Sequence, residues 1–238
     1  LAAARRHAAI DRGNRRGDHE ALQRPPAQPA HGIVSAMSLW RGETPLILAS
    51  QSSARKMLLA SAGLEFKAIT ADIDERGIQA ASKLSDPHDI ALLLAREKAK
   101  AVSAGHPGSY VIGADQTLAL GERLFNKPAG RAQAMAQLLD LAGKSHALNS
   151  AVAVARDAKI VFEDVSVARM TMRPMTETEL SAYLDAAGDA VTTSVGAYQL
   201  EGLGSHLFER IEGDHFTILG LPLLPLLAFL RRERLVAV

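Results

Sequence analysis

The feature that most constrains the fold is an alternation of short apolar runs with longer amphipathic ones, beginning at Pro45. Leu46 to Ala49 reads as a short buried strand, and Ser53 to Ala62 as a helix stopped by Gly63, a residue suited to a helix end. Phe66 to Thr70 predicts a second strand. Asp86 to Ala104 predicts a long amphipathic helix, with Pro87 in its first turn and Gly105 beyond its end. Tyr110 to Ala114 reads as a strand running straight into Asp115, continued by Leu118 to Leu120 as far as a turn at Gly121–Glu122. A helix is expected from Arg131 to Leu141. The runs Ser145 to Ala155 and Lys159 to Met172, joined at Arg156–Asp157, have the spacing of a β-hairpin. Thr176 should cap a helix through Leu184, with Glu179 as its capping-box partner. His206 to Ile211 reads as strand, and Leu221 to Arg232 as a closing helix. Helices interleaved with strands, plus one hairpin, predict an α/β fold on a mixed sheet.

Residues 1–44 differ. They hold Pro25, Pro26 and Pro29, almost no apolar periodicity, and a net charge of +3. Such a composition cannot bury enough surface to offset its ordering entropy, so the segment is read as a disordered extension of a folded domain over 45–238. No apolar core follows its arginines, as a signal peptide would require. An over-extended start before Met37 is the plain explanation; a basic arm for nucleic acid or anionic lipid is the rival, diluted by Asp11, Asp18 and Glu20.

Composition removes several classes of function. The chain has no cysteine, which excludes disulfides, Cys-ligated zinc, iron–sulfur clusters and thiol nucleophiles. Aromatics are 4%, too few for stacking platforms along a single strand of nucleic acid. The apolar stretch Ile218 to Leu230 contains Pro222 and Pro225 and is too short to span a bilayer.

In α/β folds ligands gather where strands end, and polar residues cluster there. Ser50, Ser52, Ser53, Arg55 and Lys56 follow the first strand, a plausible anion cradle at a helix start. The plainer reading is a helix cap at Ser52 or Ser53 with the two cations in solvent. Asp74 and Glu75 follow another probable strand, and Asp115 ends the apolar run 110–114. Glu75 and Asp115 could share a divalent cation, since Mg²⁺ takes one or two carboxylates plus substrate phosphates. Lys98 on the long helix and Lys127 beside Pro128 add cations, although from local sequence each is more readily read as a solvated side chain. No HExxH or other close ligand spacing appears among the eight histidines. Between Ser194 and Gly204, three glycines flank a single acid, Glu201, as expected of a backbone that closely approaches a ligand.

Taken in order, seven segments resemble the Maf family of nucleoside-triphosphate pyrophosphatases: Leu48-Ala49-Ser50 with Ser52 and Arg55; Asp74-Glu75; Ala95 to Ala99; Gly113-Ala114-Asp115; Lys127-Pro128; Gly196 to Gly204; and Gly213-Asp214 through Gly220-Leu221-Pro222. The resemblance covers 46–230. It implies a two-lobed, Maf/inosine-triphosphatase-like α/β fold, with an elongated, bent mixed sheet flanked by helices and a central nucleotide cleft. It implies metal-dependent cleavage of a nucleoside triphosphate to the monophosphate and pyrophosphate. Asp115 would be the general base and, with Glu75, would hold Mg²⁺ or Mn²⁺. Ser50, Arg55, Lys98 and Lys127 would bind the triphosphate, and Ser52 and Ala54 would also contact the substrate, Ala54 at a position that bears on the base.

Substrate preference in the family follows a few positions. Gln116 and Glu201 resemble the branch that hydrolyses 7-methyl-GTP, whereas the dTTP and UTP branch has Thr and Gln there. A carboxylate can accept from the N1–H and amine of a guanine. Ala54 departs from that branch by lacking a bulky side chain, and Asn149-Ser150 replaces the usual Thr-Gly. The alternatives are a broad house-cleaning pyrophosphatase and, in another class, a non-catalytic nucleotide-binding regulator of septum formation. A cytoplasmic enzyme is expected, with a nucleoside triphosphate as partner, a second copy in a homodimer as an option, and neither membrane nor nucleic acid.

Overall fold

The computed structural model describes residues 38–238. Chain order is β1 (Leu46–Leu48), α1 (Ser53–Ser61), β2 (Phe66–Ala68), α2 (Glu75–Ser82), α3 (Pro87–Ala104), β3 (Val111–Leu120), β4 (Arg123–Phe125) and α4 (Arg131–Leu141). Then come β5 (Ser145–Arg156), β6 (Lys159–Met172), α5 (Glu177–Ala187), β7 (Phe208–Glu212), α6 (His215–Ile218) and α7 (Leu223–Arg232). One mixed seven-stranded sheet runs β2-β1-β3-β5-β6-β7, with β4 also on β3. The pairs β1–β2 and β1–β3 are parallel and the others antiparallel. The short parallel strands are joined by helical crossovers, while β5 and β6 form a hairpin turning at Asp157 and Ala158, both at positive φ.

The caps expected from sequence are present. Thr176 and Glu179 form a full capping box, and Asp86 accepts from the His88 and Asp89 amides with Pro87 in the first turn. Several bounds move. Leu118–Leu120 ends β3 as expected, and that strand starts at Val111 rather than Tyr110. The last strand starts at Phe208, because His206 lies in a 3₁₀ turn, Leu203–Leu207. The last helix starts at Leu223, with Pro222 at its cap. Helix α2 was not foreseen; it has no buried residue and stands on the Asp74 cap, whose carboxylate accepts from Gly77 N at 3.0 Å.

Residues just before Pro45 also touch the folded body. Leu39 N donates to Gly63 O, Arg41 N donates to Leu235 O, and Trp40 packs edge-on against Tyr110, so residues 38–44 belong to the folded body. The disorder expected of the remaining N-terminal residues lies outside the described part.

Alternation along β3 and β5 sorts the core into faces. Ala91, Ala95 and Ala99 of α3 pack on Ala151, Ala153 and Ala155, while Ile47, Ala49, Val102 and Val111 extend that layer. Residues of opposite parity, Ile112, Ala114, Val152 and Val154, meet α1 and α7. Farther along, Leu118, Leu148, Met170 and Met172 meet α4 and α5 through Leu138, Leu141, Leu180 and Leu184. Gln116 and Ser150, register partners on β3 and β5, fall between these two clusters. The all-alanine face of α3 lets it lie close to the sheet, and Gly113 makes that approach possible: a Cβ there would sit 2.1 Å from Ala95 O. Among the described residues, no helix is long and apolar enough to cross a membrane.

Candidate active site

The close approach of α3 to β3 builds the centre of the site. Asp115 has the same strand parity as Gly113 and so faces the helix. Lys98, one residue before Ala99, reaches down to it: Lys98 Nζ lies 2.6 Å from Asp115 Oδ1 and 3.0 Å from Glu75 Oε1. Both Lys98 and Asp115 are buried, whereas Glu75, in the first turn of α2, is half exposed. Burial is the largest influence on Asp115 and raises its carboxyl above the ordinary range, against the pull of Lys98 and Arg55. A carboxylate that holds its proton more readily than a free aspartate is better matched to accepting one near neutral pH.

Beyond β1 the chain turns through Ser50 into α1. Ser52 is the helix cap, its Oγ accepting from Arg55 N at 3.4 Å, as the plainer sequence reading had it. Arg55 does not reach into solvent. Its Nε donates to Gly220 O at 2.7 Å and its Nη1 to Ala114 O at 2.8 Å, with Ser50 Oγ at 3.4 Å. Burial lowers the guanidinium from its usual value, opposed by Asp115 and Glu75. Gly220 stands at φ +88°, where only glycine is unstrained, and this turn aims its carbonyl at Arg55.

These groups open on a cavity of about 880 Å³ whose lining includes Ser50, Ser52, Ala54, Arg55, Glu75 and Lys98. Asp115, Gln116, Lys127 and Glu201 line it too, so every residue to which the family resemblance gave a role borders one space, whereas Lys56 of the expected anion cradle does not. Lys127 and Glu201 are exposed at its rim. Gln116 does not offer its whole amide: Nε2 donates to Ser150 Oγ, Thr217 O and Ile218 O. The carboxylates of Glu75 and Asp115, already gathered about one ammonium, form an oxygen-only donor pair that fits a hard divalent ion such as Mg²⁺ or Mn²⁺.

Comparison with known proteins decides the relationship. A family model described as "Maf-like protein" matches residues 45–233. The chain belongs to the Maf-like family. A Bradyrhizobium diazoefficiens protein named "Nucleoside triphosphate pyrophosphatase" is 89% identical over 202 residues, covering 85% of this chain and 100% of that one. A Rhodopseudomonas palustris protein of the same name is 66% identical over 202 residues, with the same coverage of both chains. A Brucella abortus protein named "7-methyl-GTP pyrophosphatase" is 52% identical over 191 residues, covering 79% of this chain and 96% of its own.

In this Maf-like chain the glycine-rich segment is held from beneath. Gly196, at φ +80°, lies where a Cβ would be 2.5 Å from Leu118 Cδ1 and 2.7 Å from the Tyr198 ring. The buried Tyr198 hydroxyl is 2.7 Å from His146 Nε2, and Phe208 packs edge-on against the Tyr198 ring. Burial holds His146 down at about 4. Tyr183 donates to Ala197 O at 3.2 Å. These contacts fix the backbone that carries Gln199 and Glu201 into the cavity. Sequence reasoning passed over Thr70, Gln79, Thr193 and Gln199, which also line it. Only Gln199 carried a signal, because it stands inside the glycine-rich segment; the others are brought in by α2 and the loops.

Proposed function

We propose that this chain hydrolyses a nucleoside triphosphate to the monophosphate and pyrophosphate, and that 7-methyl-GTP or another guanine-type nucleotide is its substrate. The chain is a nucleoside triphosphate pyrophosphatase of the Maf-like family, a reading supported by the family match and by the 89% identical relative of that name. The observation that carries the chemistry is the buried Lys98–Asp115 contact at the floor of a cavity walled by Arg55.

Water attacks the α-phosphorus, its proton passes to Asp115, and the bond from the α-phosphorus to the bridging oxygen breaks, so that pyrophosphate leaves. Lys98 holds the Asp115 carboxylate in place and, with Arg55 and Lys127, offsets negative charge on the triphosphate. Ser50 fixes Arg55, and the capped start of α1 presents amide groups to a phosphate. Glu75 and Asp115 would hold a divalent cation, which supplies charge neutralisation and orientation of the phosphates when bound. The core clusters on either side of Gln116 and Ser150 support the two-lobed arrangement with the nucleotide between.

The guanine preference is supported by Gln116 and Glu201 bordering the cavity, and by the 52% identity to a protein named for 7-methyl-GTP. Ala54, at the partly buried edge of the same space, offers the base no stacking face. Pyrophosphate release from 7-methyl-GTP, GTP, dTTP, UTP and CTP, with Mg²⁺ and with chelator, tests both parts. Metal-dependent release favouring 7-methyl-GTP is expected. Release favouring dTTP or UTP would overturn the base assignment, and no release from any of them would overturn the reaction.

A further inference from the structure

We propose that the cradle of Ser150 Oγ and the Thr217 and Ile218 carbonyls fixes which atom of the Gln116 amide meets the ligand, with Ser150, which also holds Thr217 O, as its positioning side chain, restricting this position to bases that present a hydrogen-bond donor. This rests on the reading of Gln116 as a contact to the base.

Ser150 is fully buried on β5, directly opposite Gln116 on β3. Its hydroxyl donates to Thr217 O at 2.6 Å, so its oxygen turns lone pairs, not a proton, toward Gln116. Gln116 Nε2 lies 2.8 Å from that oxygen and 3.1 Å from both Thr217 O and Ile218 O. Three acceptors therefore surround one amide nitrogen that carries two protons. Turning the amide over would set Oε1 against two carbonyls that have no proton to give, and the Ser150 hydroxyl could meet it only by giving up Thr217 O.

The segment making this cradle is itself fixed. Thr217 N donates to Asp214 Oδ1 at 2.9 Å, Thr217 Oγ1 bonds the same carboxylate, and Gly220 O three residues on holds Arg55. Gln116 Oε1, in contrast, has no hydrogen-bond partner among the described residues and is not among the buried atoms that lack one. It is the amide atom left for the cavity that Gln116 lines. Glu201, on the same cavity, is also an acceptor. A base with two adjacent donors, such as the N1–H and amine of a guanine, suits this pair better than one whose single N–H lies between two carbonyls.

The test compares kcat/KM for 7-methyl-GTP and UTP in the wild type, Ser150→Ala, Gln116→Ala and the double variant. Ser150→Ala should reduce the 7-methyl-GTP to UTP ratio about 3- to 10-fold, the worth of one hydrogen bond. Pyrophosphate affinity, which involves no base, should not change. In the Gln116→Ala background the same substitution should have no further effect on the ratio, because the group through which it acts is gone. Ser150→Gly, which removes the hydroxyl with no added bulk, should reproduce the ratio of Ser150→Ala and serves if the alanine variant does not fold. An unchanged ratio in both Ser150 variants would overturn the proposal while leaving Gln116 as a base contact. So would an equal drop with and without Gln116. An unchanged ratio in Gln116→Ala would overturn the base-contact reading and this proposal together.

Discussion

Replacing Gly113 by alanine tests the close helix–sheet approach on which the site depends. The added Cβ would lie 2.1 Å from Ala95 O, 2.6 Å from Ala99 N and 2.9 Å from Ala99 Cβ. Two of these are backbone atoms of α3, so no side-chain rotation relieves the clash. Restoring an ordinary contact of about 3.4 Å moves the helix away by about 1.3 Å at Ala95. Lys98 rides on the same turn, and its 2.6 Å contact to Asp115 stretches with it. Overpacking of this kind costs about 1–3 kcal/mol. For a chain of this length that lowers Tm by about 2–12 °C. Misplacement of a catalytic group by about 1 Å costs on the order of 100-fold in rate. Thermal melting and pyrophosphate release on the purified variant read the two effects, with Gly130→Ala as control, since nothing lies within 4 Å of a Cβ at Gly130. A Gly113→Ala protein that melts and turns over like the wild type would refute the reasoning. So would an equal loss in the control.

Other outcomes follow from the same geometry. Arg55→Lys removes the fork that bonds Gly220 O and Ala114 O together, so nucleotide affinity should fall about 10-fold or more in titration calorimetry. His146 should make stability fall with acidification, because the unfolded chain takes its proton near 6.5 and the folded chain only at about 4. The loss grows as pH drops through that window and reaches about 3 kcal/mol at most. Melting curves from pH 7 to 4.5 should show a smaller acid-side decline in His146→Gln than in the wild type.

Much of the fold is local and therefore legible in the sequence. Thr176 with Glu179, Asp86 with Pro87, and the breakers at Gly63 and Gly121 carry their structural meaning within a few residues. Helix α2 was hidden because no apolar face marks it; its local anchor is the Asp74 cap, and its contact to Lys98 through Glu75 is long-range. Strand order was hidden because β1 takes its partners from 66–68 and 111–112, and no local pattern states that. At the site, the residues that border the cavity could be named from their segments, but their partners could not. Asp115 and Gln116 are adjacent in sequence, yet alternation sends one toward Lys98 on α3 and the other toward Ser150 and Thr217. Arg55 looked like a residue that could be solvated; only the folding of Gly220, far along the chain, turns it inward. The His146–Tyr198 support under the glycine-rich segment is likewise a long-range pairing with no local sign.

The most direct test of the central claim is Asp115→Asn, measured for both nucleotide affinity and pyrophosphate release at saturating substrate and Mg²⁺. The substitution keeps the shape of the side chain while removing its ability to take a proton. The nucleotide should still bind, while kcat falls about 10²- to 10⁴-fold, the usual contribution of a positioned general base. A kcat within a few-fold of wild type would contradict Asp115 as the group that activates water.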